Sequence, residues 1–244
     1  MQEMVQILWI STIAGLATTL GSLLVVAFGR PQERVLATLL AGAGGVMLAV
    51  VTLDLLPAAW EIGPLSQVIS GFISGILFIH LANRKMNSPS SAKPISRRQR
   101  LKHIGILVAS GIALHDLPEG MAIAVGQEAT DGLGFLIALA ITLHNLPEGM
   151  ATAAPLKMAG IRWWKILLLN LGIAFFTPLG ALIGLLAVDS VQNSLAFFLA
   201  LAGGAMAYLV FSELWPLSRE RHPRYALLGG AIGYIFFAVL SILH

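Results

Sequence analysis

The residues best suited to chemistry lie in two nearly identical stretches near the middle of the chain. Leu114-His115-Asp116-Leu117-Pro118-Glu119-Gly120-Met121-Ala122 is matched by Leu143-His144-Asn145-Leu146-Pro147-Glu148-Gly149-Met150-Ala151. Each holds a histidine and a glutamate four residues apart. On a helix such a pair lies one above the other on a single face. His115 therefore projects with Glu119, and His144 with Glu148. Asp116 and Asn145 follow one residue on, about 100° round the helix, and three residues before their glutamates. Two such helices, face to face, present imidazole, carboxylate and amide groups to each other. Pro118 and Pro147 each remove an N–H and free the carbonyl four residues earlier, Leu114 and Leu143. Gly120 and Gly149 allow close helix approach.

Three carboxylates on two adjacent helices repel unless protonated or neutralised by a cation, and a divalent metal does this directly. Imidazole with carboxylate and no thiolate suits Zn²⁺, Fe²⁺, Mn²⁺ or similar ions, whereas Mg²⁺ and Ca²⁺ prefer all-oxygen cages. A His–Glu hydrogen-bond network that merely ties the helices together is the alternative. Duplication of the whole motif, prolines and glycines included, weighs against it.

Both stretches sit inside apolar runs long enough to cross a bilayer. The chain has 244 residues, 57% hydrophobic and 11% charged, with mean hydropathy +0.84. A soluble domain carries roughly 25% charged residues, so this composition predicts an integral membrane protein. There is no cysteine, which excludes disulfides and thiolate ligation. Met1-Gln2-Glu3-Met4 lacks the basic start of a secretory signal, so the first apolar run is expected to be a mature helix.

A hydrocarbon core of about 30 Å needs about 20 apolar residues per helix. Eight spans are expected, at about 5–28, 35–57, 65–82, 103–126, 132–154, 163–187, 193–215 and 225–243. The runs lack the period-2 alternation of a membrane barrel. With eight spans, all fifteen Lys and Arg fall on one side, from Arg30 and Arg34 to Arg219, Arg221 and Arg224. The opposite loops hold Glu61, Glu128, Asp131 and Asp189. The net charge of +3 thus reflects topology rather than affinity for nucleic acid. Basic loops face the cytoplasm, so both termini are expected to be non-cytoplasmic. Residues 83–102, rich in Ser, Pro and basic residues, read as a mobile cytoplasmic loop.

The first three spans repeat in the last three at an offset of 159 residues. Thr18-Thr19-Leu20-Gly21 meets Thr177-Pro178-Leu179-Gly180, and Ala43-Gly44-Gly45-Val46-Met47 meets Ala202-Gly203-Gly204-Ala205-Met206. Asp54-Leu55-Leu56-Pro57 meets Glu213-Leu214-Trp215-Pro216, Glu61 meets Glu220, and Gly71 meets Gly230. The topology makes the copies antiparallel. The expected fold is an all-α membrane protein, eight helices in a 3+2+3 inverted repeat. It forms one transmembrane domain over 1–244, with repeats at about 5–82 and 163–243 and central helices at about 103–154. Inverted repeats mark secondary transporters with midplane sites.

These motifs give the chain its family likeness. His115-Asp116-Leu117-Pro118-Glu119-Gly120 and His144-Asn145-Leu146-Pro147-Glu148-Gly149 resemble the paired helix-4 and helix-5 motifs of the Zrt/Irt-like (ZIP) family of divalent metal transporters. The resemblance spans essentially the whole chain. It implies a binuclear site at mid-membrane. One metal would be held by His115, Glu119, His144 and Glu148, and a second by Asp116 and Asn145 with the glutamates bridging. The family often adds a helix-2 methionine, and Met47 fits that position. Many prokaryotic members carry a glutamate before the Pro-Leu-Gly of helix 6, and here that residue is Thr177. A hydroxyl is a weak, neutral ligand. The second site thus lacks a carboxylate, and one transported ion, with Asp116 as an auxiliary or proton-accepting group, is the alternative.

Met47 and Asp54 are seven residues apart, two turns along one face, so Met47 lies deeper. Asp54, Glu61 and Glu128 are positioned to concentrate cations at an outer mouth, and Glu213 is their counterpart on the inner side. Glu220, His222, His80 and His103 lie near the inner face, and Trp60, Trp163, Trp164 and Trp215 near span ends, as interfacial anchors do. The resulting expectation is a carrier, not an enzyme. It takes up a divalent transition metal, zinc before iron, manganese, cadmium or cobalt, by alternating access across the plasma (inner) membrane. It needs no cofactor, no nucleic acid and no nucleotide, its partners are the metal and the lipid bilayer, and it is compatible with a homodimer. A passive channel is the alternative reading. A membrane metallohydrolase is a remote one, since no His-Glu-x-x-His is present.

Overall fold

The computed structural model describes residues 2–27, 32–86, 96–129, 132–186 and 194–242. Arg30, Lys93, Asp131 and Asp189, and the side chains of Lys85 and Glu128, lie outside the described residues. Among those described there are eight long helices and no strand. They are α1 (Gln2–Ala27), α2 (Glu33–Ile62), α3 (Leu65–Met86), α4 (Arg97–Ala129), α5 (Leu133–Met158), α6 (Trp163–Leu186), α7 (Leu195–Arg221) and α8 (Pro223–Ile242). Seven are long and apolar enough to cross a bilayer. The other, α5, matches them in length at 26 residues and carries His144, Asn145 and Glu148 within its apolar run.

The expected loop at 83–102 is corrected at both ends. Helix α3 runs on to Met86, and α4 already begins at Arg97. The signal was present in Ser96-Arg97-Arg98-Gln99. The Ser96 N–H donates to Gln99 Oε1 (3.0 Å) and the Gln99 N–H donates to Ser96 Oγ (3.2 Å), a capping box. The extended ends are tied together at the basic end of the bundle. Glu33 pairs with both Arg97 and Arg221, and Arg100 pairs with Glu220. Lys157 donates to the carbonyls of Val25 and Val26 at the end of α1, and Arg98 Nε donates to Ala159 O (2.7 Å). Long basic side chains thereby cap helix ends whose carbonyls lack partners.

The helices pack as two groups. In one, α1 lies along α5, and α4 lies along α5 and α6; in the other, α2 lies along α8 and α3 along α7. Contacts between the groups run chiefly from α4 to α7 and from α2 to α5. Glycine sets how close the partners come. A Cβ added at Gly149 would sit 1.9 Å from Thr18 O, and one at Gly21 would sit 2.0 Å from Leu146 O. The same arrangement recurs between α4 and α6, where Gly120 faces Thr177 O and Gly180 faces Leu117 O, each at 2.0 Å.

The α2–α8 and α3–α7 pairs also echo each other, with one change of register. Gly229 of α8 rests on Thr38 O, and Gly71 of α3 rests on Phe197 O. Thr38 and Phe197 stand at the offset of 159, so Gly71 corresponds to Gly229 rather than to Gly230. The reason is the connecting turn: two residues separate α2 from α3, and one separates α7 from α8.

Helices α2 and α7 each contain a π-helical turn, Val50–Leu55 and Val210–Leu214. Each is followed by a proline, Pro57 or Pro216, that lacks an N–H and crowds the carbonyl four residues back. The turns carry Asp54 and Glu213, and such turns concentrate at functional sites. Helix α6 is interrupted at Phe175, where the ring of Pro178 crowds the Ala174 carbonyl.

Candidate metal centre

Helices α4 and α5 bring all six polar residues of the paired motifs into the interior. His115, Asp116, Asn145 and Glu148 have no exposed surface, and Glu119 and His144 keep 2% and 3%. The partners are crossed between helices. His115 Nε2 lies 3.1 Å from Glu148 Oε2, and His144 Nε2 lies 3.2 Å from Glu119 Oε2. Both helices run antiparallel, so the pairs form two tiers about one helical turn apart. His144–Glu119 is nearer the acidic end of the bundle, and His115–Glu148 nearer the basic end.

Asp116 joins the deeper tier, with Oδ1 3.5 Å from His115 Nε2. His115, Asp116 and Glu119 each offer a ligand atom, all within 4.8 Å of one another. Several polar atoms remain without a hydrogen-bond partner: both Asp116 oxygens, Glu119 Oε1, Glu148 Oε1, and Nδ1 of both histidines. Buried polar groups are normally paired, and ionisable groups inside a bilayer are costly. Buried imidazole and carboxylate groups with unsatisfied atoms, three of them offering ligand atoms within 4.8 Å of one another, suit a divalent cation of borderline softness.

Asn145 behaves differently from Asp116. Its Nδ2 donates to Ala14 O on α1 at 3.0 Å, while its Oδ1 has no partner. Thr177 is fully buried and its hydroxyl is unpaired. It lies against Gly15 of α1, next to the Ala14 carbonyl that holds Asn145. Thr18, its counterpart on α1, is also buried with an unpaired hydroxyl. Met47 is fully buried in the apolar core shared by the two helix groups, as is Met206, its counterpart on α7.

The more distant residues fall at the bundle ends. Asp54 accepts a hydrogen bond from Ser241 Oγ at 2.7 Å, and Glu213 accepts one from Asn83 Nδ2 at 2.8 Å. These are the same contact in the two halves. Asn83 Oδ1 also lies 3.1 Å from His103 Nε2, and His80 Nδ1 lies 3.2 Å from the Tyr208 hydroxyl. Glu61 is exposed at the acidic end of α2. Glu220 is engaged by Arg100, and the His222 ring stacks edge-on against Tyr225 at 4.6 Å. Trp60, Trp163 and Trp164 are exposed near helix ends. Trp215 instead packs on Gly230 between α7 and α8.

Sequence reasoning missed three features of the site. Phe237 of α8 lies against the His144 ring, with centroids 5.8 Å apart. Thr152, one turn beyond Glu148, donates to Asn170 Oδ1 of α6 at 2.7 Å. The π turns were announced only by Pro57 and Pro216. No motif marks Phe237, because nothing local distinguishes it from the lipid-facing residues of α8.

A family model described as ZIP Zinc transporter matches residues 80–241. A zinc transporter ZupT of Chlorobium phaeovibrioides is 33% identical over 263 aligned positions, covering 100% of this chain and 99% of that protein. The zinc transporter ZupT of Corynebacterium aurimucosum is 30% identical, covering 94% of this chain and 93% of its own length. That of Salmonella newport is 34% identical, covering 91% of each. With a buried imidazole–carboxylate cluster at the centre of an apolar helical bundle, and with these relatives along its whole length, the chain belongs to the ZIP zinc transporter family, as a transmembrane divalent-metal transporter rather than an enzyme.

Proposed function

We propose that this chain carries Zn²⁺ into the cytoplasm through the cluster His115, Asp116, Glu119, His144 and Glu148, with Asn145 and Met47 at its edge. The observation that carries the reading is the pair of crossed His–Glu contacts, 3.1 and 3.2 Å, closed off from both ends of the bundle. The substrate ion replaces hydrogen bonds with coordinate bonds and cancels the carboxylate charge. Zinc is favoured by the donor set and by the names of the zinc transporter relatives.

The proposed architecture is a 3+2+3 inverted repeat, supported by the recurring glycine–carbonyl contacts and by the Asp54–Ser241 and Glu213–Asn83 pairs. Each packed group mixes helices from both repeats. Alternating access is therefore a movement of α1, α4, α5 and α6 against α2, α3, α7 and α8, and not of one repeat against the other. The basic end is cytoplasmic by the positive-inside rule, which puts both termini outside and Asp54 and Glu61 at the outer mouth. Glu213 serves the inner side. Cluster closure on both sides favours a carrier over a passive channel. The bilayer is that of the plasma membrane.

The test is zinc uptake into reconstituted vesicles. Glu119→Ala and Glu148→Ala should each reduce uptake to the level of empty vesicles, and normal uptake by either variant would remove the cluster from the transport path. Competition by Fe²⁺, Mn²⁺, Cd²⁺ and Co²⁺ in the same assay ranks the ions.

A further inference from the structure

Arg98 is anchored by one edge of its guanidinium. Its Nε donates to Ala159 O at the end of α5, at 2.7 Å. The remaining N–H groups have no acceptor among the described residues. Beside them lies Gly160, in the left-handed region at φ +75°. A Cβ there would stand 3.5 Å from a terminal nitrogen of Arg98, so the missing side chain leaves the fork open. Both residues line a cavity of about 610 Å³ at the basic end of the bundle, with Glu33 of α2, Arg97 and Leu101 of α4, and Met158 and Ala159 of α5. That volume falls in the ~300–1,000 Å³ range of small-molecule sites. The one carboxylate in the lining, Glu33, is already paired with Arg97 and, at 3.0 Å, with Arg221. The wall therefore keeps a net positive charge. Its floor is apolar: Leu101 is buried and Met158 half-buried. The grooves between α1 and α6, and among α2, α7 and α8, lack this character and are lined almost wholly by apolar side chains.

We infer that this cavity holds the headgroup of an anionic phospholipid, with phosphate oxygens on the forks of Arg98 and Arg97 and the glycerol end over Leu101 and Met158. A guanidinium with both terminal nitrogens open accepts two phosphate oxygens at once. The cavity lies where α4 passes from Arg97-Arg98 into its apolar run, which is headgroup depth for a spanning helix. Basic pockets between helices on the positive side of a membrane protein suit such headgroups. The apolar floor favours a lipid over a free phosphate, which has nothing to lay on it. The site also straddles the two helix groups, since α2 belongs to one and α4 and α5 to the other. A bound headgroup adds to the Arg97–Glu33 tie between them.

The test is thermal unfolding of the whole chain in a neutral detergent, with added phosphatidylglycerol, phosphatidylcholine or inorganic phosphate. Phosphatidylglycerol should raise Tm, and the other two should not. Arg98→Gln should at least halve that shift. Lys165→Gln, which removes an exposed charge at the same end but outside the cavity, should leave it intact. An undiminished shift in Arg98→Gln would overturn the assignment. So would an equal loss in Lys165→Gln, which marks diffuse surface charge, or an equal shift with phosphate alone, which marks a free-anion site. If Arg98→Gln does not fold, Gly160→Asn gives a second comparison. Asparagine tolerates the left-handed conformation, keeps every arginine and fills the space beside the fork, so it too should reduce the shift. The readout involves no metal, so its failure is distinct from failure of the transport reading.

Discussion

Helices α4 and α5 carry the same nine-residue phrase and use it differently. Their histidines and glutamates are interchangeable in role, each pairing with the opposite helix at 3.1 or 3.2 Å. The residue after each histidine is not. Asp116 keeps both oxygens unpaired beside His115, while Asn145 gives its amide to the Ala14 carbonyl on α1. One helix adds a carboxylate with unpaired oxygens beside its histidine, and the other ties the equivalent position to its neighbour and leaves only its amide oxygen unpaired. A duplicated motif thus produces a lopsided site, with the extra charge in the tier nearer the basic end.

This comparison can be broken at several points. The largest effect is expected from loss of either crossed partner. Glu119→Ala and Glu148→Ala should each weaken zinc binding beyond the ~10–100-fold typical of changes outside the ligand sphere. A calorimetric titration that finds only one of them important would show that the tiers are unequal.

Next come the glycines that seat each helix on its neighbour. Gly149→Ala and Gly120→Ala put a methyl about 2 Å from a carbonyl oxygen. Each should cost about 1–3 kcal/mol through overpacking, read as a lowered Tm in detergent. Unchanged Tm in both would mean that the backbones yield without cost.

The third pair tests the difference itself. Asn145→Asp removes the donor to Ala14 and buries a carboxylate against a carbonyl, so it should destabilise the fold by about 1–3 kcal/mol. Asp116→Asn removes charge without breaking any hydrogen bond of the fold, so it should leave Tm nearly unchanged and weaken zinc affinity instead. Equal Tm losses in the two variants would erase the distinction between ligand and strut.

The smallest effect is expected from Asn145→Ala. Losing one interhelical hydrogen bond inside a membrane averages about 0.6 kcal/mol, a shift detectable in thermal unfolding but too small to abolish uptake. Complete loss of transport in that variant would show Asn145 to be a ligand rather than a strut.

Much of the fold was legible in the chain. Apolar runs, proline positions and one-sided basic residues located eight helices to within a few residues over most of their lengths. Helix α2 runs five residues past its expected end, to Ile62 at the acidic end, and the other chief errors lay at the basic end, where α3, α4, α5 and α7 extend past the apolar runs. There the helices are stabilised by ion pairs and caps rather than by hydropathy, and a hydropathy reading stops too early. The register slip of Gly71 has a similar origin. A single-residue difference in a connecting turn is invisible to an offset that is carried by matching letters alone.

The sequence by itself determined the donor set, the duplication and the membrane setting, because these depend on residue type and on spacing along one helix. Only the tertiary structure decided that His115 meets Glu148 and not Glu119, that Asn145 turns to α1, and that Phe237 lies against His144. Those are contacts between helices far apart in the chain. They follow from how closely glycine lets backbones approach and from which face of each helix is turned inward, and neither is written in a local motif.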